Sequence, residues 1–291
     1  MITMQPKYVV ITPVRDEEAY IQLTIQSMIK QTVQPYEWII VDDGSTDMTG
    51  SIIDEYASKY SWIRSLHRAN RGHRKAGGGV VDAFNDGYRA LNTQDWDFIV
   101  KFDGDLTFDP DYFERCLENF DGEPTLGVGG GTICHIIDGK RHSEDCPVFH
   151  VRGATKIYRK SCWDAIGGFW PAPGWDTVDE VKANRLGWTT RSFSNLYLIH
   201  HRPTGTAEGI WAGLVKNGRA NYICGYHPLF MISKCLLHIV REPYVIGSLA
   251  LLYGFLSGYL KRIPRVDDVA TIHYLRHQQM RRLRGGESIW K

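Results

Sequence analysis

The sequence has no charge excess of either sign. Lysine and arginine together number 34 and aspartate and glutamate 33, for a formal net charge of +1. A nucleic-acid-binding domain would carry a strong basic surplus, so nucleic acid is not expected as a partner. The six cysteines (Cys116, Cys134, Cys146, Cys162, Cys224 and Cys235) contain no CxxC pair and no zinc-ligand spacing. They read as reduced thiols rather than as a metal or disulfide framework. Neither a P-loop signature nor a G-x-G-x-x-G after the first strand occurs, which argues against a Walker-type or nicotinamide site. Internal repeats and low-complexity tracts are missing as well. The stretch from Met1 to Lys7 lacks the basic-then-apolar pattern of a signal peptide. The expected setting is therefore the cytosol, where nucleotide-activated metabolites are made.

What is there is an alternation of short apolar runs with helical patterns. Tyr8 to Thr12 (YVVIT) and Trp38 to Val41 (WIIV) read as buried strands, and residues near Ile63 to Leu66 and Phe98 to Phe102 (FIVKF) as a third and a fourth strand. Helical periodicity covers about 17–30, 49–59 and 80–91. Such alternation predicts βαβ units and a mostly parallel sheet, and ligands of such sheets bind beyond the strand C-termini. The second half is less regular, with strands expected over 127–137, 149–158 and 189–199 and a helix over 175–186.

The residues beyond the strand ends carry chemistry. Asp103-Gly104-Asp105 places two carboxylates on a tight turn, a geometry that suits Mg²⁺ or Mn²⁺ together with a ribose hydroxyl. Asp42-Asp43-Gly44-Ser45-Thr46-Asp47 offers a carboxylate for a nucleobase or ribose, along with capping groups for the next helix. The stretch from Asn70 to Gly79 has Arg71, Arg74 and Lys75 among glycines ahead of a helix, which reads as an anion site. Asp176, Asp179 and Glu180 share one face of a helix start, and any of them could act as a base on an acceptor hydroxyl. His200 or His201, after a strand, could complete a metal's ligand set.

In their order and spacing, ITPVRDEE (11–18), WIIVDDGSTD (38–47), RGHRKAGGG (71–79), VKFDGDLTF (100–108), GWDTVDE (174–180) and LIHHRPTG (198–205) resemble the family-2 glycosyltransferases. The resemblance covers roughly residues 7–228. It implies an α/β GT-A fold, Rossmann-like, with a mostly parallel central sheet flanked by helices. It also implies an inverting transfer from a UDP- or GDP-linked sugar with Mn²⁺ or Mg²⁺. Pro13, Arg15 and Glu17 would border the nucleotide, Asp43 would meet the base, and Asp103 the ribose or metal. Asp105 would bind the metal, while Arg74 or Lys75 would steady the departing diphosphate. Asp179 takes the place of the aspartate in the family's Glu-Asp motif, but Val178 stands where that motif has glutamate, so Asp176 and Glu180 remain rivals.

We expect a glycosyltransferase domain over 1–228, with about 1–110 for the nucleotide sugar and about 111–228 for the acceptor. A helical extension over 229–291 would follow. Leu229 to Val240 is amphipathic, and Tyr244 to Leu260 (YVIGSLALLYGFLSGYL) is an uncharged run followed at once by Lys261, Arg262 and Arg265. Basic residues beside an apolar segment suit an anionic membrane surface, and a homo-oligomer interface is the other use of such a segment. The resemblance then implies a lipid-linked or surface-glycan acceptor, polysaccharide biosynthesis, and a place at the inner face of the membrane. Two other readings predict different behaviour. A sugar-nucleotide nucleotidyltransferase would release pyrophosphate, and a non-catalytic nucleotide-sugar-binding scaffold would have lost the carboxylates.

Overall fold

The computed structural model describes residues 6–72, 78–144, 146–202, 209–240 and 243–290. Arg74 and Lys75 lie outside these described residues. A nine-stranded mixed sheet runs through the molecule in the order β3-β2-β1-β4-β8-β6-β9-β5, with β7 paired to β6. The first half is wound as the sequence predicts. β1 (Tyr8–Val14), α1 (Ile21–Ile29), β2 (Glu37–Asp42), α2 (Thr49–Lys59), β3 (Ile63–His67), α3 (Gly78–Arg89) and β4 (Phe98–Phe102) follow one another. Their four strands are all parallel. Pro13 does not end β1: it stays in the strand opposite Val41. The pairing of β1 with β4 has already stopped at Ile11, so the missing N–H of Pro13 breaks no ladder on that side.

The second half reverses strand direction. It comprises β5 (Leu106–Phe108), α4 (Tyr112–Asp121), β6 (Leu126–Ile137), β7 (Lys140–Ser143), β8 (Thr155–Arg159), α5 (Lys160–Ile166), α6 (Trp175–Arg185) and β9 (Thr189–His200). β8 enters beside β4 antiparallel, while β6 and β9 run parallel to each other. The apolar stretch over 149–158 yields a strand only from Thr155, because His150 and Val151 leave the sheet to meet Glu180.

Strand alternation sends side chains to two cores. Val10, Ile40, Val100 and Ile157 pack with Ile25 and Phe113 on one side. Val9, Ile39, Ile99 and Tyr158 pack with Phe84, Trp163 and Trp175 on the other. Trp38 is fully buried, and its indole N–H donates to Thr12 Oγ1 at 2.8 Å, so no polar group is left stranded there.

A third core belongs to the C-terminal helices: α7 (Ile210–Ile223), α8 (Pro228–His238), α9 (Tyr244–Leu260) and α10 (Val269–Leu283). α7 and α9 approach until a Cβ at Gly218 would stand 2.0 Å from Leu251 O, and one at Gly254 would stand 2.1 Å from Val215 O. α9 buries Gly247, Ala250, Leu251, Gly254 and Phe255 and turns Val245, Ile246, Leu249, Tyr253 and Leu256 outward. α8 likewise exposes Leu229, Ile232, Leu236 and Leu237. Among the described residues, no helix is long and apolar enough to cross a membrane.

Candidate active site

The C-terminal ends of β1, β2 and β4 open on one edge, and the loops leaving them are tied together. Asp16 takes a left-handed φ of 54°. Its N–H donates to Ser45 Oγ at 2.9 Å and its Oδ1 accepts from Thr46 N at 2.9 Å. Glu17 N donates to Thr49 Oγ1 at 2.7 Å, and Glu18 Oε2 accepts from Met48 N at 3.0 Å. The polar run after β2 thus serves the neighbouring loop as much as its own helix. Gly44, at φ 74°, has no room for a side chain: a Cβ would fall 2.5 Å from Asn70 Cα.

Asp43 is held from both sides, by Arg68 on Oδ1 and Arg71 on Oδ2. Arg15 donates to the Asp43 carbonyl at 3.2 Å and to Asn70 Oδ1 at 2.9 Å. Arg202, just past β9, reaches back to Glu17 Oε2 at 2.7 Å and to the Asp16 carbonyl at 3.1 Å. Sequence reasoning missed Arg68 and Arg202. Arg68 lies one residue beyond β3 and Arg202 two residues beyond β9, and that closeness to a strand end was the available signal.

Beyond β4, Asp103 pairs with Lys101, and its N–H donates to Ala154 O at 2.9 Å. Asp105 Oδ2 lies 3.1 Å from His200 Nε2, while Asp105 Oδ1 is buried without any hydrogen-bond partner. One ligand atom each from Asp103, Asp105 and His200 lies within 4.8 Å of the others. Oxygen and imidazole donors of this kind, with one carboxylate oxygen orphaned, could hold a divalent cation. Burial pulls the His200 imidazole down, but the Asp105 carboxylate outweighs it and raises the pKa above the ordinary value. His201 turns the other way, 3.0 Å from Thr107 Oγ1, and burial lowers its pKa. A second group, His135, Glu144 and His200, adjoins the first.

The carboxylates of α6 are not equivalent. Asp179 and Lys156 are both 0% exposed at the side chain. Lys156 Nζ lies 2.9 and 2.8 Å from the two Asp179 oxygens, Tyr158 donates to Asp179 Oδ2, and Glu180 N donates to Asp179 Oδ1 at 2.7 Å. Burial pushes the Asp179 carboxyl up to about 6 against the pull of Lys156. Burial opposes the charge on Lys156, but Asp179 and Glu180 raise its pKa. Glu180, also fully covered, accepts from Val151 N at 2.7 Å and faces His150 Nδ1 at 2.8 Å.

Asp176 is only partly buried, and among the described residues nothing donates to its carboxylate. Only its carbonyl is taken, by Lys156 Nζ at 2.5 Å. A short segment connects it with the Asp103 turn. Ala154 holds the Asp103 N–H, and a Cβ on the adjacent Gly153 would stand 3.4 Å from Asp176 Cβ. Lys101 and Lys156 both sit 5.6 Å from the Trp175 ring.

Comparison with known proteins places the chain among relatives of this fold. The profile described as Glycosyl transferase family 2 matches residues 9–171. EpsH of Bacillus subtilis, named a putative glycosyltransferase, is 32% identical over 190 residues, 64% of this chain and 51% of its own length, so the chain spans about half of that relative. The mannosyltransferase PcManGT of Pyrobaculum calidifontis, solved with GDP-Man and Mn²⁺, aligns over 98% of this chain and 77% of its own, with a TM-score of 0.58 and 15% identity. TarS of S. aureus, solved with UDP-GlcNAc, aligns over 92% of this chain and 79% of its own, with a TM-score of 0.53 and 17% identity. With a GT-A sheet, an acidic turn beyond β4 and a family profile over more than half its length, this chain belongs to glycosyl transferase family 2.

Proposed function

We propose that the protein moves a sugar from a nucleoside-diphosphate sugar to a hydroxyl acceptor by a single inverting displacement, with Asp176 as the base. The observation that carries the choice of Asp176 is its accessibility. A general base must come within hydrogen-bond reach of the acceptor proton. Asp179 has both oxygens engaged by Lys156, Tyr158 and the Glu180 backbone N–H, and Glu180 is equally enclosed. Asp176 is the open carboxylate on α6, and it flanks the same Gly153–Ala154 segment as Asp103. Asp179, Glu180 and Lys156 are then positioning residues that fix the first turn of α6.

On the donor side, Asp43, clamped by two arginines, receives the base, with Pro13, Arg15 and Glu17 along the nucleotide. Asp103, Asp105 and His200 would hold Mn²⁺ or Mg²⁺, which when bound supplies Lewis-acid stabilisation of the diphosphate worth several kcal/mol. The neighbours solved with GDP-Man, UDP-GlcNAc and Mn²⁺ support a nucleotide-sugar donor and a metal. The outward apolar faces of α8 and α9, next to Lys261 and Arg262, support seating on an anionic membrane surface, with a lipid-linked acceptor and the active site on the cytoplasmic side.

The test is a binding panel of UDP, GDP, CMP and NAD, each with Mn²⁺ or chelator. One nucleoside diphosphate should tighten with metal, and Asp105→Ala should remove that tightening. Equal affinity with and without metal in the wild type would sink the metal assignment. Release of pyrophosphate rather than nucleoside diphosphate during turnover would replace the transferase reading by the nucleotidyltransferase one.

A further inference from the structure

His200 belongs to two clusters of metal-ligating side chains, and the donor-side cation draws only on the one with Asp103 and Asp105. In the other, one ligand atom each from His135, Glu144 and His200 lies within 4.8 Å of the others. The sheet brings these three together. β6 and β9 run in parallel register with Cys134 opposite Ile199, which sets His135 beside His200 with ring centroids 5.4 Å apart. Glu144 follows β7, and its N–H donates to Ile133 O at 2.9 Å, so the hairpin carries it back alongside His135. All three side chains are largely, but not fully, shielded from water.

The hydrogen bonds around this second cluster are those of a ligand set already oriented. His135 Nδ1 lies 3.2 Å from the carbonyl oxygen of His200, which can only accept, so Nδ1 is the donor. Nε2 of the neutral ring then presents its lone pair to Glu144 Oε1 at 2.9 Å. Two acceptors face each other across that gap, and a cation is what joins them. The other oxygen, Glu144 Oε2, accepts from Arg152 Nε at 2.6 Å, which steadies the carboxylate from behind. A ring whose far nitrogen donates to a carbonyl and a carboxylate held by a further hydrogen bond are the outer contacts that metal ligands ordinarily have. Two imidazoles and one carboxylate suit Zn²⁺, which takes three such ligands and leaves a fourth tetrahedral position open. Mg²⁺ and Mn²⁺ favour the oxygens of the Asp103–Asp105 turn.

Resting on the metal reading of Asp103, Asp105 and His200 above, we propose that His135, Glu144 and His200 form a second cation site, selective for Zn²⁺, which competes with the diphosphate-binding ion for His200. His200 Nε2 lies 3.1 Å from Asp105 Oδ2. An imidazole serving both ions at once would have to give up both ring protons, and two divalent charges on one ring repel each other. Zinc therefore draws His200 away from the Asp103–Asp105 turn and weakens metal-dependent nucleotide binding without entering the nucleotide site. The coupling is reciprocal, so nucleotide with Mn²⁺ weakens zinc by the same factor.

The experiment titrates the full chain with Zn²⁺ by calorimetry and with Co²⁺ by visible absorption, and it measures UDP and GDP binding with Mn²⁺ on the same samples. The wild type should bind zinc with a rise in melting temperature, and zinc should weaken Mn²⁺-dependent nucleotide binding by about tenfold, an ordinary coupling between two sites. His135→Gln keeps an N–H toward Glu144 but ligates poorly. It should bind zinc at least about tenfold more weakly, with the metal-free melting temperature and the Mn²⁺-dependent nucleotide affinity unchanged. Arg152→Gln leaves all three ligands in place and should weaken zinc by about 10–100-fold, the effect of losing an outer contact. A His135–Glu144 bond with a merely structural role predicts zinc binding in both variants like that of the wild type, and that result overturns the proposal. So does a wild type that binds no zinc, or zinc binding that survives both variants and is lost in Asp105→Ala, which would put the ion on the Asp103–Asp105 turn. Zinc binding that depends on His135 but leaves the Mn²⁺-dependent nucleotide affinity unchanged overturns the competition for His200. If Mn²⁺ tightens no nucleotide while zinc binding still depends on His135, the result counts against the donor-metal reading alone and supports the zinc site.

Discussion

Asp176, Asp179 and Glu180 share one short stretch of α6 and meet different electrostatic environments. The sequence places them on one helix face, and the family motif favours Asp179 as the base. What the sequence could not show is that Lys156 and Tyr158 turn from the middle of β8 into the same space. A lysine inside a strand reads as solvent-facing until its neighbours are known. The consequence is testable by a pair of amide variants. Asp176→Asn should lower the transfer rate by about 10²–10⁴-fold with nucleotide affinity and melting temperature unchanged. Asp179→Asn should cost less than about tenfold and act instead on stability. The folded-state pKa of Asp179 is raised to about 6, above its unfolded value. Its contribution to stability is therefore full below about pH 4 and is lost as pH rises through about 6. Urea titrations across that window should show the decline in the wild type and a flatter profile in Asp179→Asn. If Asp176→Asn transfers normally while Asp179→Asn is dead, the roles are the reverse of those proposed.

At the level of elements, β1, β2 and α9 were legible because each holds an apolar run bounded by turn or charged residues, and β3 and β4 because they fall at the spacing of the same alternation. The helix over Tyr244–Leu260 has the bounds of the uncharged run. α7 was not legible. Its sequence is a mixture of small, polar and apolar residues (IWAGLVKNGRANYI), and its position is fixed by α9, which lies well downstream. β5 is too short to carry an alternation signal. Gly254 of α9 and Gly218 of α7 are sites of close helix approach, and the seam they form has a price. Gly254→Ala would force a methyl against the Val215 carbonyl, which should lower stability by about 1–3 kcal/mol. Gly122→Ala, where a Cβ would meet nothing closer than 3.5 Å, is the matched control in chemical denaturation. Equal stability of the two variants would mean that α7 and α9 can separate at little cost.

For the whole molecule, the sheet gathers the donor residues on one edge, while the C-terminal helices present an apolar surface that no described residue covers. Composition alone located this surface in sequence but could not say which face of α9 was buried, because that depends on the partner helix. If the face seats on a bilayer, the wild type should cosediment with anionic vesicles. Replacing Leu236 and Leu249 with glutamate should then cut the bound fraction by about tenfold or more, since each change removes apolar burial and adds repulsion from the lipid charge. Nucleotide binding should persist in the same variant. Unchanged cosedimentation would place the membrane contact elsewhere, and a wild-type dimer that dissociates in the variant would assign the face to a second copy.

The cross-links between the loop after β1 and the loop after β2 carry a last implication. Their backbone amides are satisfied by each other's side chains before any ligand arrives. A nucleotide reaching this edge meets a surface that has already lost its conformational freedom during folding. Little ordering remains to be done on encounter, so the affinity measured there reflects contacts rather than rearrangement. Slow amide hydrogen exchange at Asp16, Glu17 and Thr46 in the free protein would be the signature of that rigidity.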